Sequence, residues 1–103
     1  MTRRPAALAV ALAATLGALA ATAAAQSPGP VFRVPVTGVI ELGLAPFIER
    51  SLEEAAAAGA SAVILDIDTP GGRVDAAERI SDAVSDARVP VYAFVNRRAF
   101  SAG

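Results

Sequence analysis

The sequence predicts an α/β fold in which a parallel sheet is covered by helices, and three observations predict it. Apolar stretches rich in valine, isoleucine and leucine recur at Val31–Val36, Ser61–Asp68 and Val89–Val95. Two segments between them keep the three-and-four spacing of apolar residues that marks a one-sided helix. The middle stretch is apolar on consecutive positions at Val63, Ile64 and Leu65, which calls for burial on both faces, as in a sheet flanked by helices. A strand–helix–strand–helix–strand order with right-handed crossovers then gives three parallel strands.

The first residues fall outside that fold. Arg3 and Arg4 precede a weakly apolar run from Ala6 to Ala21, and Ala23-Ala24-Ala25 offers an A-x-A cleavage site before Gln26. This is the three-part pattern of a secretory signal peptide, placed at residues 1–25. Ala6 to Ala25 also reaches the ~20 residues of a membrane span. Alanine contributes little to insertion, however, so cleavage is the expectation over a retained anchor. Gln26 to Pro30 is rich in breakers and reads as a linker. Residues 31–103 are expected to be the N-terminal part of a domain that continues past Gly103, because Ala99-Phe100-Ser101-Ala102-Gly103 carries no terminating signal.

Within the domain, Pro35 cannot donate a ladder hydrogen bond, which sends the first strand to an edge or gives it a bend. A helix from about Leu44 to Ala58 comes next, with Leu44, Phe47, Ile48, Leu52, Ala55 and Ala56 as its apolar stripe and Gly59 at its end. The central strand runs into a turn, Thr69-Pro70-Gly71-Gly72. A second helix from about Val74 to Ala87 carries the stripe Val74, Ala77, Ile80, Val84 and Ala87, with an acidic outer face. Acids near its start favour the helix dipole. Pro90 suits the opening of the third strand.

Composition excludes several chemistries. There is no cysteine, which removes disulfides, zinc–thiolate sites and thiol catalysis. There is no histidine, the commonest general base. All nine basic residues are arginine. A net charge of −1 gives no electrostatic footprint for nucleic acid. No phosphate-binding glycine motif is present. Asp66 and Asp68 share one face of a strand end, an arrangement able to bind a divalent cation. The competing reading has Asp68 capping the amides of the glycine turn and Asp66 meeting solvent or an arginine. Arg97 and Arg98 are read as solvated charges, with orientation of a substrate's carbonyls as the alternative.

Parallel topology puts the turn after the second strand and the segment after the third on one rim of the sheet, where open sheets hold their ligands. Gly71 and Gly72 therefore share an edge with Ser101, a serine flanked by small residues that reads as the start of a helix. A nucleophile with convergent backbone donors is the core of an acyl-transfer site. Each piece also has a plainer reading: the glycines as a simple turn, Ser101 as a helix N-cap.

The segments Leu65-Asp66-Ile67-Asp68-Thr69-Pro70-Gly71-Gly72-Arg73-Val74-Asp75-Ala76-Ala77 and Val95-Asn96-Arg97-Arg98-Ala99-Phe100-Ser101-Ala102-Gly103 resemble the membrane-bound Clp-class serine proteases of the NfeD family. The resemblance spans Val31 to Gly103 and implies a ClpP/crotonase-like βαβαβ start, incomplete at its C-terminus. By position Ser101 matches the family's nucleophile, and Gly71 and Gly72 match the turn that contributes to its oxyanion hole, with Gly71 favoured as the donor. The family's base is a lysine further along the chain, and this sequence has none. The implied activity is a serine–lysine peptidase that cuts hydrophobic segments of membrane proteins, stomatin-like partners in particular, with neither cofactor nor metal. Membrane anchoring beyond Gly103, an extracytoplasmic protease domain and a homo-oligomer go with it. Two other readings stand beside it. One is a scaffold or partner-binding module with a degenerate protease domain. The other is a crotonase-like acyl-CoA enzyme, against which the signal peptide argues.

Overall fold

The computed structural model describes residues 27–103. The signal-peptide expectation for residues 1–25 lies outside the described residues. Five elements succeed one another: β1 (Val31–Thr37), α1 (Leu44–Ala57), β2 (Ala62–Thr69), α2 (Val74–Ser85) and β3 (Val91–Ala99). The strands are parallel in the spatial order β1-β2-β3. Pro35 sits in an edge strand opposite Asp66 of the central one.

Strand alternation sorts the side chains into two faces. Val34 and Val36 of β1 lie level with Leu65 and Ile67 of β2, and Ala93 and Val95 of β3 continue the same rows. Ile48, Leu52 and Ala55 of α1 pack on this face, and Ile80, Ala83 and Val84 of α2 close over it. Ile48 and Val63 are fully buried, and complete burial of such a side chain is worth roughly 1.5–3 kcal/mol. Among the described residues both helices cover this one face. The opposite face carries Arg33, Asp66, Tyr92 and Phe94, with Tyr92 and Phe94 exposed.

The local chemistry explains the helix ends. Gly59 takes φ +68, its N–H reaches Ala56 O at 3.1 Å, and Ala60 N–H reaches Ala55 O at 3.0 Å. This pair of bonds is a Schellman cap, which needs a residue free of the Cβ penalty at the left-handed position. In α2 the Asp75 carboxylate accepts the Ala76 N–H at 3.0 Å. Arg79 of α2 donates two hydrogen bonds to Glu49 of α1, at 2.6 and 2.9 Å, and ties the helices together. Gly29 and Pro30 are held by Ser61, whose N–H reaches Pro30 O at 2.9 Å and whose hydroxyl reaches Gly29 O at 2.9 Å.

Three expectations need correction. Val74 is exposed, and within the same first turn of α2 the buried residue is Ala76, so Ala76 and not Val74 faces inward there. Phe47 is likewise largely outside the core of α1, whose buried residues are Ala45, Ile48, Leu52 and Ala55. The third strand starts at Val91 and continues through Asn96, Arg97 and Arg98 to Ala99. The polar residues read from sequence as the segment beyond the strand are inside it, in a bulge between the Ile67–Val95 and Thr69–Ala99 pairs.

Candidate functional site

The rim at the carboxyl ends of the strands is assembled from three loops. The first comes after β1. Gly38 donates its N–H to Asp68 O at 3.0 Å, and Ile40 then forms a parallel bridge with Gly72. Ile40 N–H reaches Gly71 O at 2.9 Å, and Arg73 N–H reaches Ile40 O at 2.8 Å. The second loop is the turn Thr69-Pro70-Gly71-Gly72. The third is the reversal after β3, where Phe100 N–H reaches Thr69 O at 3.1 Å and Gly103 N–H reaches Phe100 O at 2.9 Å.

A bulge brings the third loop to the second. Ile67 pairs with Val95 and Thr69 with Ala99, so β2 advances two residues where β3 advances four. Asp68 lies opposite the extra residues, and Arg98 Nε approaches its Oδ1 at 3.4 Å. Bulges of this kind bend a strand and re-aim the side chains at its end. Here the side chain delivered to the rim is that of Ser101.

Ser101 has φ +53 and is exposed. Within the Phe100–Gly103 turn the positive φ falls at the first corner and not at Ala102, as in a type II′ turn. A non-glycine residue held there costs on the order of 1–3 kcal/mol, an expense that clusters at functional sites. Gly71 touches this corner. A Cβ placed on Gly71 would lie 2.7 Å from Ser101 Cβ, 2.7 Å from Phe100 O and 3.3 Å from Ala102 N. With φ +103 as well, Gly71 is a position that only glycine fills. Gly72 is excluded from substitution for a different reason: a Cβ there would strike the Ile40 backbone, 2.7 Å from its N.

The structure thus brings Gly71 and Ser101 into contact, with Gly72 the next residue along. Their amides differ. Gly71 N–H is taken by Thr69 Oγ1 at 3.1 Å. Gly71 O and Arg73 N–H face Ile40, so the Gly72 N–H between them points away from Ile40. Among the described residues none accepts it. Ala102 N, which sequence reading passed over, would lie 3.3 Å from a Cβ on Gly71. Its only sequence signal was its place directly after a candidate nucleophile, where acyl-transfer sites take a donor. Ser101 and Ala102 form a turn at the end of the described residues.

The acids take the bland role. Asp66 is buried and receives Arg33 Nε at 2.7 Å. Asp68 is spent on Arg98 across the bulge, and the glycine turn is capped by Thr69 instead, which corrects the expectation of an Asp68 cap. Threonine wins because its hydroxyl is fully buried beneath the turn, whereas Asp68 alternates to the open sheet face. Among the described residues no group of three or more acidic side chains is placed to hold a metal ion. A cavity of about 390 Å³ opens below the rim, lined by Ile40, Ile67, Thr69, Ile80, Ala102 and Gly103 among others. The Arg79 guanidinium holds Glu49 below the usual carboxylate range, and Arg73 does the same to Asp75.

With that geometry in place, the likeness to known proteins is specific. Membrane protein NfeD1b of Bacillus subtilis (strain 168) is 48% identical over 73 residues, which are 71% of this chain and 17% of that protein. A 1510-N membrane protease specific for a stomatin homolog from Pyrococcus horikoshii matches with a TM-score of 0.66 at 29% identity, over 75% of this chain and 40% of that one. A lysine-to-alanine variant of a 1510-N membrane-bound stomatin-specific protease, in complex with a substrate peptide, matches with a TM-score of 0.65 at 28% identity, over 69% of this chain and 32% of that one. The chain therefore spans well under half the length of the proteins it matches. Residues 30–103 match the family described as NfeD1b, N-terminal domain, and the chain belongs to that family.

Proposed function

We propose that these residues carry the nucleophile and oxyanion hole of a membrane-associated serine endopeptidase that cuts apolar segments of membrane proteins. The observation that carries the reading is the contact between Gly71 and a serine held at positive φ. In this reading Ser101 Oγ attacks a peptide carbonyl, and the developing oxyanion is met by the glycine turn. The engagement of Gly71 N–H by Thr69 favours the Gly72 amide as the donor, with Ala102 N–H as the second. Gly71, favoured as donor on the family resemblance, becomes instead the packing partner of the nucleophile. Each such donor is worth roughly 100- to 1,000-fold in rate.

The proton of Ser101 needs a base, and the 103 residues contain neither lysine nor histidine. A lysine from the rest of the protein completes the pair, its pKa lowered by burial. The relatives support the assignment: one is a stomatin-specific protease, and another is a membrane protein. A stomatin-like substrate and an extracytoplasmic protease domain belong to the same reading, as do a cleaved leader and a homo-oligomer. Among the described residues no helix is long and apolar enough to cross a membrane.

The test is hydrolysis of an apolar peptide by the full-length protein. Ser101→Ala is expected to abolish turnover while the circular dichroism spectrum stays that of the wild type. Equal turnover in the two proteins overturns the nucleophile assignment and leaves a binding module.

A further inference from the structure

Thr69 touches all three loops of the rim. Its side chain is fully buried, yet its hydroxyl is fully used: Oγ1 accepts the Gly71 N–H at 3.1 Å and donates to Gly38 O at 2.5 Å. Its carbonyl accepts the Phe100 N–H at 3.1 Å. Its methyl lies directly under Gly103, where a Cβ would strike it. A hydroxyl offers one hydrogen to donate and lone pairs to accept, so one atom serves both the β1 loop and the glycine turn.

We infer that Thr69 is a positioning residue of this site: its hydroxyl ties the Pro70–Gly71 peptide to the β1 loop at Gly38 and so holds the glycine turn, with the Gly72 amide beside it, in place before substrate arrives. The inference rests on the peptidase reading above. The reason is geometric. The turn contains Gly71 at φ +103 and then Gly72, and two adjacent glycines leave its peptide planes free to rotate. Two hydrogen bonds on Gly71 oppose that rotation, the Thr69 bond to its N–H and the Ile40 bond to its O. The Ile40 bond holds the Gly71–Gly72 peptide, the plane that carries the Gly72 N–H. The Thr69 bond holds the peptide before it, so that Gly71 is anchored on both sides. Valine has nearly the same shape as threonine and neither hydrogen-bonding function. It would keep the packing under Gly103 and release the turn. Serine would keep the bonds and lose only the methyl.

The two substitutions separate the hydroxyl from the shape. In the full-length protein, the rate of Ser101 labelling by a fluorophosphonate and the kcat and KM for an apolar peptide are measured for wild type, Thr69→Val and Thr69→Ser. Amide hydrogen exchange at Gly71 is monitored alongside. Thr69→Val is expected to slow labelling and kcat by ~10- to 100-fold, with KM changed less than about threefold, as for a misdirected transition-state donor. Thr69→Ser is expected to stay within about threefold of wild type. The Gly71 amide should lose its protection in the valine protein and keep it in the serine protein. A valine protein as active as the serine protein, or Gly71 protection unchanged by valine, overturns the inference. If Thr69→Val does not fold, the serine protein decides: rates near wild type support the hydroxyl, and rates lowered more than tenfold refute it. Failure of the peptidase reading looks different. Wild-type protein that is not labelled at Ser101 sinks that reading, while the Gly71 exchange comparison still decides whether Thr69 locks the turn.

Discussion

Gly71→Ala is the sharpest perturbation of the rim. The new Cβ would lie 2.7 Å from both Ser101 Cβ and Phe100 O. Carbon atoms in contact stay about 3.5–4.0 Å apart, so the overlap with Ser101 is about 1 Å. One of the two struck atoms is backbone, so no rotamer relieves it and the Phe100–Gly103 turn must move by a similar amount. A misplacement of ~1 Å costs roughly 100-fold in rate. Stability falls as well, by about 1–3 kcal/mol for alanine at φ +103 and about 1–3 kcal/mol for overpacking. Against the ~5–15 kcal/mol of a typical domain the protein is weakened and still folded. Gly59→Ala is the control, because Gly59 also has positive φ, +68, but nothing lies within 4 Å of its added Cβ. The assay is fluorophosphonate labelling of Ser101 in the full-length protein, read beside a denaturant melt. Both variants are expected to lose stability, and only Gly71→Ala to lose labelling by ~100-fold. Labelling of Gly71→Ala within threefold of wild type would show that the turn and the serine are not packed together.

Further expectations concern the sheet and the helix pair. Arg33→Ala leaves the Asp66 carboxylate, whose side chain is 9% exposed, without its guanidinium, at a cost of about 1–2 kcal/mol after allowing for the exposure of Arg33. Asp66→Asn leaves an arginine that solvent can take up, so it should cost less in a urea melt; the reverse order would argue against a buried acceptor at Asp66. Glu49 has its carboxyl pKa lowered by Arg79 in the folded state, so its contribution is present above the unfolded pKa and is lost as pH falls through the folded one. The melting-temperature gap between wild type and Glu49→Gln should therefore be open at pH 7 and close below the usual carboxylate range. A gap that persists at pH 2 would assign it to packing instead of charge.

Most of the layer structure was legible because it is local. Pro35 needed an edge and Gly59 needed a helix end, and the fold supplies both; Val63 and Leu65 face the helices, while Ile64 lies level with Arg33 and the exposed Tyr92 on the other face and is only half-buried. The meeting of Gly71 with Ser101 was legible at the level of topology, since parallel strands put both at one rim. What escaped depends on partners far away in the chain. Asn96-Arg97-Arg98 has no strand propensity and joins β3 only because Asp68 and Thr69 lie beside it. Thr69 read as a turn former, since nothing in its own neighbourhood announces that Gly38 and Gly103 converge on it. The choice between two adjacent glycine amides was equally hidden, because it turns on which one a buried hydroxyl consumes.

The bulge in β3 sets a rule of parity for this protein's relatives. Between its pairings with Ile67 and Thr69 the strand spends two residues beyond a regular ladder, and an even surplus returns Ala99 to the same side of the sheet as Val95. Removing or adding one residue between Asn96 and Arg98 would deliver Phe100 and Ser101 turned over, with the serine facing away from Gly71. Removing two would restore a plain ladder and keep the facing while drawing the serine back along the sheet. Length changes at this spot should therefore be tolerated by the domain in pairs, even where the residues themselves are freely exchanged.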